Sequence, residues 1–107
     1  MRESELEKKL KTEIRKRKGL ALKFLSPGNA GVPDRLVLLP GGNSFFVELK
    51  APGKKPRELQ KEWLSKLRRV GFRALVVASE EELIDLLEEI DCMLGNDSRY
   101  GGDPFHG

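Results

Sequence analysis

The segment Gly31-Val32-Pro33-Asp34-Arg35-Leu36-Val37-Leu38-Leu39-Pro40-Gly41-Gly42-Asn43-Ser44-Phe45-Phe46-Val47-Glu48-Leu49-Lys50 contains two short apolar runs joined by a breaker-rich turn. Such a pattern predicts an antiparallel hairpin, with strands over 35–39 and 44–50 and a turn at 40–43. Alternate residues of a strand share a face, so Glu48 and Lys50 project together while Val47 and Leu49 point into the opposite layer. Within the hairpin, Asp34 at the start of the first strand can face Glu48 near the end of the second. Two carboxylates and a lysine gathered at one point can hold Mg²⁺ and activate water.

Upstream of the hairpin, residues 4–18 read as a helix, with Leu6, Leu10 and Ile14 spaced four apart on one side and Gly19 as its stop. Leu20 to Leu25 reads as a short strand, ended by the loop Ser26-Pro27-Gly28-Asn29-Ala30-Gly31. Downstream, Ala51-Pro52-Gly53-Lys54-Lys55-Pro56 is a stiff basic connection to a second helix over 57–70, whose expected apolar stripe is Leu59, Trp63, Leu67 and Val70. Trp63 on that stripe is expected to serve the core rather than to stack on a base. Residues 72–78 form a nearly uninterrupted apolar run, expected to lie inside the sheet. Ser79-Glu80-Glu81-Glu82 has the spacing of a capping box and opens a last helix through about Ile90. The stretch from Gly95 onward lacks periodicity and is expected to be a loose tail, which leaves 1–94 as one domain. His106 falls in that tail and is given no catalytic role.

The resulting order, α-β-β-β-α-β-α, predicts an α/β fold with a mixed central sheet flanked by helices in two or three layers. With 107 residues, 38% hydrophobic and 35% charged, the core must be modest, and a homodimer that buries further apolar surface is expected. The formal net charge is only +3, but its distribution is uneven. From Lys50 to Arg73 there are nine basic residues against two acids, whereas Glu80 to Asp91 holds seven acids and no base. The first stretch can face phosphates and the last helix should turn away from them. Lys54, Lys55, Arg57 and Lys61 are the leading phosphate contacts, with Lys8 and Arg15 as secondary candidates. Contacts to the backbone give affinity without sequence readout. Arg35 can neutralise a phosphate or orient Asp34, and its residue type does not separate the two. A lone cysteine, Cys92, and a lone histidine make a zinc site within one chain implausible and point to an intracellular, reducing compartment such as the cytoplasm. No run approaches about 20 apolar residues, so no membrane span is expected.

The combination of Gly-Val-Pro-Asp-Arg at 31–35, Phe-Val-Glu-Leu-Lys-Ala-Pro-Gly-Lys at 46–54 and Leu-Gln-Lys-Glu-Trp at 59–63 resembles the VRR-NUC domain of the PD-(D/E)XK nuclease superfamily, over roughly 3–89. The resemblance implies a restriction-endonuclease-like core and a Mg²⁺-dependent DNA endonuclease, with Mn²⁺ as a substitute ion. It implies Asp34 and Glu48 as direct metal ligands, the Leu49 carbonyl as a further oxygen, and Lys50 as the residue that assists the water or the charge of the transition state. It also implies that Gln60 joins the catalytic set and that the first helix adds another acid. Glu7 is the choice for that acid and Glu3 the substitute, although Ser4-Glu5-Leu6-Glu7 has capping-box spacing that would explain Glu7 by helix initiation alone. Compact viral-type relatives lead one to expect a dimer acting on branched DNA such as four-way junctions, in phage or prophage recombination or repair, with a helicase or other replication-repair protein as a partner. The competing reading is a nuclease-fold module that binds DNA or a partner without turnover, which an intact Asp34, Glu48 and Lys50 set argues against.

Overall fold

The computed structural model describes residues 1–95. It contains α1 (Glu3–Lys16), β1 (Leu20–Lys23), β2 (Arg35–Leu38), β3 (Ser44–Leu49), α2 (Glu58–Arg69), β4 (Arg73–Val77) and α3 (Glu80–Leu94). The expected tail and His106 lie outside the described residues. The four strands form one sheet in the order β1-β2-β3-β4, antiparallel in the first two pairings and parallel between β3 and β4. The predicted hairpin is therefore present, and its turn at Pro40–Gly42 is a single 3-10 turn closed by a 2.8 Å bond from the Leu39 N–H to the Asn43 carbonyl. The crossover through α2 supplies the parallel strand, as a βαβ connection must.

Strand alternation divides the sheet into two faces. Val37, Phe45, Val47, Leu49 and Val77 join Leu6, Leu10 and Ile14 of α1 and Leu83, Leu86, Leu87 and Ile90 of α3 in one hydrophobic core. Phe45 is the largest of the fully buried side chains, so the four-apart stripe on α1 meets the strand side that carries no acid. The other face carries Leu36, Phe46, Glu48 and Val76, and α2 lies across it on the β4 side, where the Arg68 Nε donates to the Ala74 carbonyl at 2.7 Å. These three layers place Glu48 between the sheet and α2.

Several boundaries and contacts differ from the expectations. β4 is an edge strand, not an interior one; an uninterrupted apolar run reports cover on both faces and says nothing about neighbours on both edges. On α2, Leu64 is the buried residue, whereas Leu59 and Val70 of the expected stripe are exposed. The helix has thus turned its Gln60 and Leu64 side toward the sheet. α3 continues past Ile90 to Leu94 and stops at Gly95, whose φ of 76° is the left-handed conformation of a helix C-cap. The extra turn presents Asp91 to Arg17, whose Nε and terminal nitrogen bind the two carboxylate oxygens at 2.6 and 2.9 Å. This bidentate pair ties the end of α1 to α3. The start of α3 follows the prediction: the Ser79 hydroxyl accepts from the Glu82 N–H at 3.1 Å, and Glu82 returns to the N–H of Ala78, one residue before the usual partner. Gly19, the expected stop of α1, is required for space: a Cβ there would lie 2.7 Å from the Leu38 carbonyl oxygen and 2.9 Å from the Ile14 side chain.

Candidate active site

Asp34, Glu48 and Lys50 come together because of the hairpin register. The pairs Arg35 with Val47 and Leu36 with Phe46 define it, and one further step sets Asp34 opposite Glu48. Glu48 is 5% exposed, an unusual place for a carboxylate unless it has partners. Two side chains meet one of its oxygens. Lys50 Nζ lies 3.6 Å from Oε2, and Gln60 Nε2 donates to Oε2 at 3.3 Å. Burial pushes the Glu48 carboxyl above the usual range, and the nearby charge of Asp34 pushes the same way; Lys50 and a backbone hydrogen bond from Asp34 offset part of the rise. Asp34 Oδ1 is buried and has no hydrogen-bond partner. A buried Glu48 carboxylate whose ionisation is opposed by burial and by a neighbouring charge, beside an orphaned Asp34 oxygen, forms a donor set that a hard divalent cation satisfies. The residues present therefore fit such an ion. The Leu49 side chain is buried in the opposite layer, so only its carbonyl could contribute. Among the described residues no group of three or more His, Cys, Asp or Glu side chains gathers, so a metal here relies on two carboxylates, the backbone and water.

Gln60 explains its own identity. It is the third residue of α2, and its Oε1 accepts from the Arg57 N–H at 2.8 Å, closing the backbone of the helix start. The opposite end of the same amide donates to Glu48. One side chain thus caps α2 and anchors that cap to the carboxylate, which requires a donor and an acceptor on one planar group. Glutamate could perform the first task but would set a second negative charge against Glu48. Gln60→Glu should accordingly retain the melting temperature of the wild type within a few degrees while slowing cleavage about 10- to 100-fold, as loss of a partner to a ligand does; a thermal melt and a rate measurement on the same preparation check it.

The remaining candidates are placed differently. Glu7 does not cap α1: the N-cap is Arg2, whose N–H is accepted by Glu5 at 3.1 Å, so the Ser4-to-Glu7 capping spacing is not used. Glu7 instead meets Arg35, its Oε2 lying 2.7 Å from a terminal guanidinium nitrogen. Glu3, the substitute, is exposed at the first turn of α1. Arg35 lies on the core face and is 5% exposed, so it is turned away from solvent. A period-two reading contained that signal, since Arg35 is in step with Val37 and Leu39. Lys54, Lys55, Arg57 and Lys61 are exposed around the connection from β3 into α2, with Lys61 paired to Glu58 at 3.2 Å. Lys8 and Arg15 are exposed on α1. Trp63 is half-buried, with Lys66 Nζ 4.7 Å from its ring centre. Among the described residues no helix is long and apolar enough to cross a membrane.

Glu48 near the end of a central strand, Lys50 just past it and Asp34 just before the neighbouring strand thus share one corner of a mixed α/β sheet. The chain belongs to the VRR-NUC domain family, whose sequence pattern matches residues 2–81. It is 48% identical over 81 residues to a protein named "Putative nuclease p44" of Acyrthosiphon pisum secondary endosymbiont phage 1, covering 76% of this chain and 87% of that one. A solved structure titled "VRR_NUC domain" superposes with a TM-score of 0.76 at 33% identity, covering 80% of this chain and 94% of the other. The chain is thus a nuclease domain, for which DNA is the implied substrate and a divalent metal the implied cofactor.

Proposed function

We propose that this chain is a Mg²⁺-dependent endonuclease that hydrolyses DNA phosphodiesters by in-line attack of water. The observation that carries the reading is the convergence on Glu48 of Lys50, Gln60 and the charge of Asp34 within a buried face. Asp34, Glu48 and the Leu49 carbonyl would hold the ion. When bound there, a divalent ion supplies a charge that polarises the scissile phosphate and lowers the pKa of a coordinated water. Lys50, whose amine is positioned by Glu48, holds the attacking water or the charge that grows on the phosphate oxygens. Gln60 keeps the carboxylate oriented. Lys54, Lys55, Arg57 and Lys61 grip the DNA backbone without reading sequence.

Branched DNA is the substrate this reading favours, through a homodimer that sets two sites on opposite strands, in phage or prophage recombination within the host cytoplasm, with a replication-repair protein as helper. Support for the dimer lies on the α2 side of the sheet. Beyond the reach of α2, Leu20 and Leu22 of β1 are exposed beside half-buried Leu36 and Leu38, forming an apolar surface with no cover in the monomer. A second copy seated there would bury it. Leu22→Glu should convert the dimer to a monomer in sedimentation at micromolar concentration, and a wild type that already sediments as a monomer removes the dimer from the account. Cleavage of a labelled four-way junction and a matched linear duplex, with Mg²⁺ and with EDTA, tests the substrate: symmetric nicking of the junction in Mg²⁺ supports the reading, cutting of the duplex alone retains the nuclease without the junction, and binding without cutting leaves a DNA-binding module.

A further inference from the structure

Arg35 and Glu7 take no part in the reaction as written above, yet they form the most constrained ionic contact near it. A guanidinium at 5% exposure among Val37 and Val47 is costly unless its donors are used. One terminal nitrogen pairs with Glu7 Oε2 at 2.7 Å, reaching α1. The other donates to the Asp34 carbonyl at 3.1 Å and lies 3.8 Å from Asp34 Oδ2. Arg35 Nε is buried without a partner, so the side chain is held by its two ends and not along its length.

We infer that Arg35 is a positioning residue that fixes Asp34 for metal binding from behind the sheet, and that Glu7 acts through Arg35 and not on the metal. The inference rests on the metal-nuclease reading. Three observations support it. Arg35 and Asp34 are consecutive on a strand, so their side chains leave from opposite faces, and the guanidinium reaches Asp34 at its backbone and its near oxygen only. The Asp34 carbonyl also accepts from the N–H of Phe24, the residue that follows β1, at 2.9 Å, so the backbone that aims this aspartate is held there and by Arg35 together. The oxygen nearer the guanidinium is Oδ2, while Oδ1 is the buried oxygen without a partner, which leaves Oδ1 for a cation. The guanidinium charge also eases the approach of two carboxylates. Joining Glu7 and the Asp34 carbonyl at once needs a planar fork, which lysine lacks.

The test is Mn²⁺ binding by calorimetry beside DNA cleavage for wild type, Glu7→Gln, Glu7→Leu, Arg35→Lys and Asp34→Asn, each checked by a melt of the metal-free protein. Glu7→Gln keeps an acceptor for the guanidinium and should weaken Mn²⁺ binding only a few-fold. Glu7→Leu and Arg35→Lys should weaken it about 10- to 100-fold, the usual effect of losing a partner to a metal ligand, with the cleavage rate recovering at saturating Mn²⁺. Asp34→Asn should not recover. If Glu7→Gln loses Mn²⁺ as completely as Asp34→Asn, Glu7 is itself a ligand and the inference fails. If Glu7→Leu and Arg35→Lys lower the melting temperature but bind Mn²⁺ like wild type, the contact is structural and the inference also fails. A wild type that binds no Mn²⁺ overturns the metal site as well, and that arm separates the two failures.

Discussion

Glu48→Gln should lower metal-dependent cleavage by roughly 10³-fold or more, the scale expected when a central electrostatic contributor to phosphoryl chemistry is removed, and should also raise the melting temperature of the metal-free protein. The second effect follows from the direction of the Glu48 shift. Burial, aided by the Asp34 charge, holds this carboxyl above its ordinary value of 4.5 in the folded chain. Between the ordinary value and the raised one the folded state binds the proton that the unfolded state has released, so stability falls as pH rises through that window. Above it, the buried charge is a standing cost that glutamine removes. The loss of a partner for Lys50 does not reverse the sign, because the help of Lys50 is already included in the net upward shift. The gain in melting temperature should be present at neutral pH and shrink as the pH is lowered toward the ordinary value. A variant that melts below wild type at neutral pH would mean that Glu48 is stabilised by its surroundings and not strained by them.

Gly31→Ala should cost roughly 2 to 4 kcal/mol, combining a left-handed backbone conformation with a clash in a packed region. The φ of Gly31 is +93°, and a Cβ there would lie 2.9 Å from the Leu59 carbonyl carbon, its carbonyl oxygen and its Cγ. Two of those atoms belong to the backbone of the first turn of α2, which cannot rotate away. Relief requires the loop that delivers Asp34 and the helix that delivers Gln60 to move apart. Cleavage should therefore fall even at temperatures where the variant remains folded. Gly28→Ala is the control: its φ is +83° but nothing lies within 4 Å, so it should cost only about 1 kcal/mol and leave activity intact. Equal effects of the two substitutions on rate and melting would remove the close approach from the argument.

The strand residues that meet at Glu48 were legible before any coordinates because alternation within a strand and a two-strand turn are local rules, whereas Gln60 was singled out by the family resemblance alone. Asp34, Glu48 and Lys50 follow from them, and Ser79 follows from capping chemistry. What the chain did not disclose depends on where elements are delivered in space. The expected stripe on α2 was Leu59, Trp63, Leu67 and Val70, whereas the packed helix buries Leu64 and exposes Leu59 and Val70, a rotation that only tertiary packing sets. The edge position of β4 is likewise a matter of topology, since no later strand exists among the described residues to pair with it. The last turn of α3 had one local signal, Gly95 as its C-cap, while its packing reward, the Arg17–Asp91 pair, joins residues 74 positions apart and could not be read. Arg35 was visible in the strand rhythm as an inward residue, but its partner Glu7 lies on a helix whose rotation only the packed core determines.

The central claim, that Asp34 and Glu48 together hold a divalent cation, is tested most directly by titrating Mn²⁺ into metal-free wild type, Asp34→Asn and Glu48→Gln protein in a calorimeter. Wild type should bind the ion saturably, with proton release that grows as the pH is lowered toward the ordinary carboxylate range, and both variants should lose that binding. Binding of equal strength in wild type and in either variant would place the ion elsewhere and contradict the account.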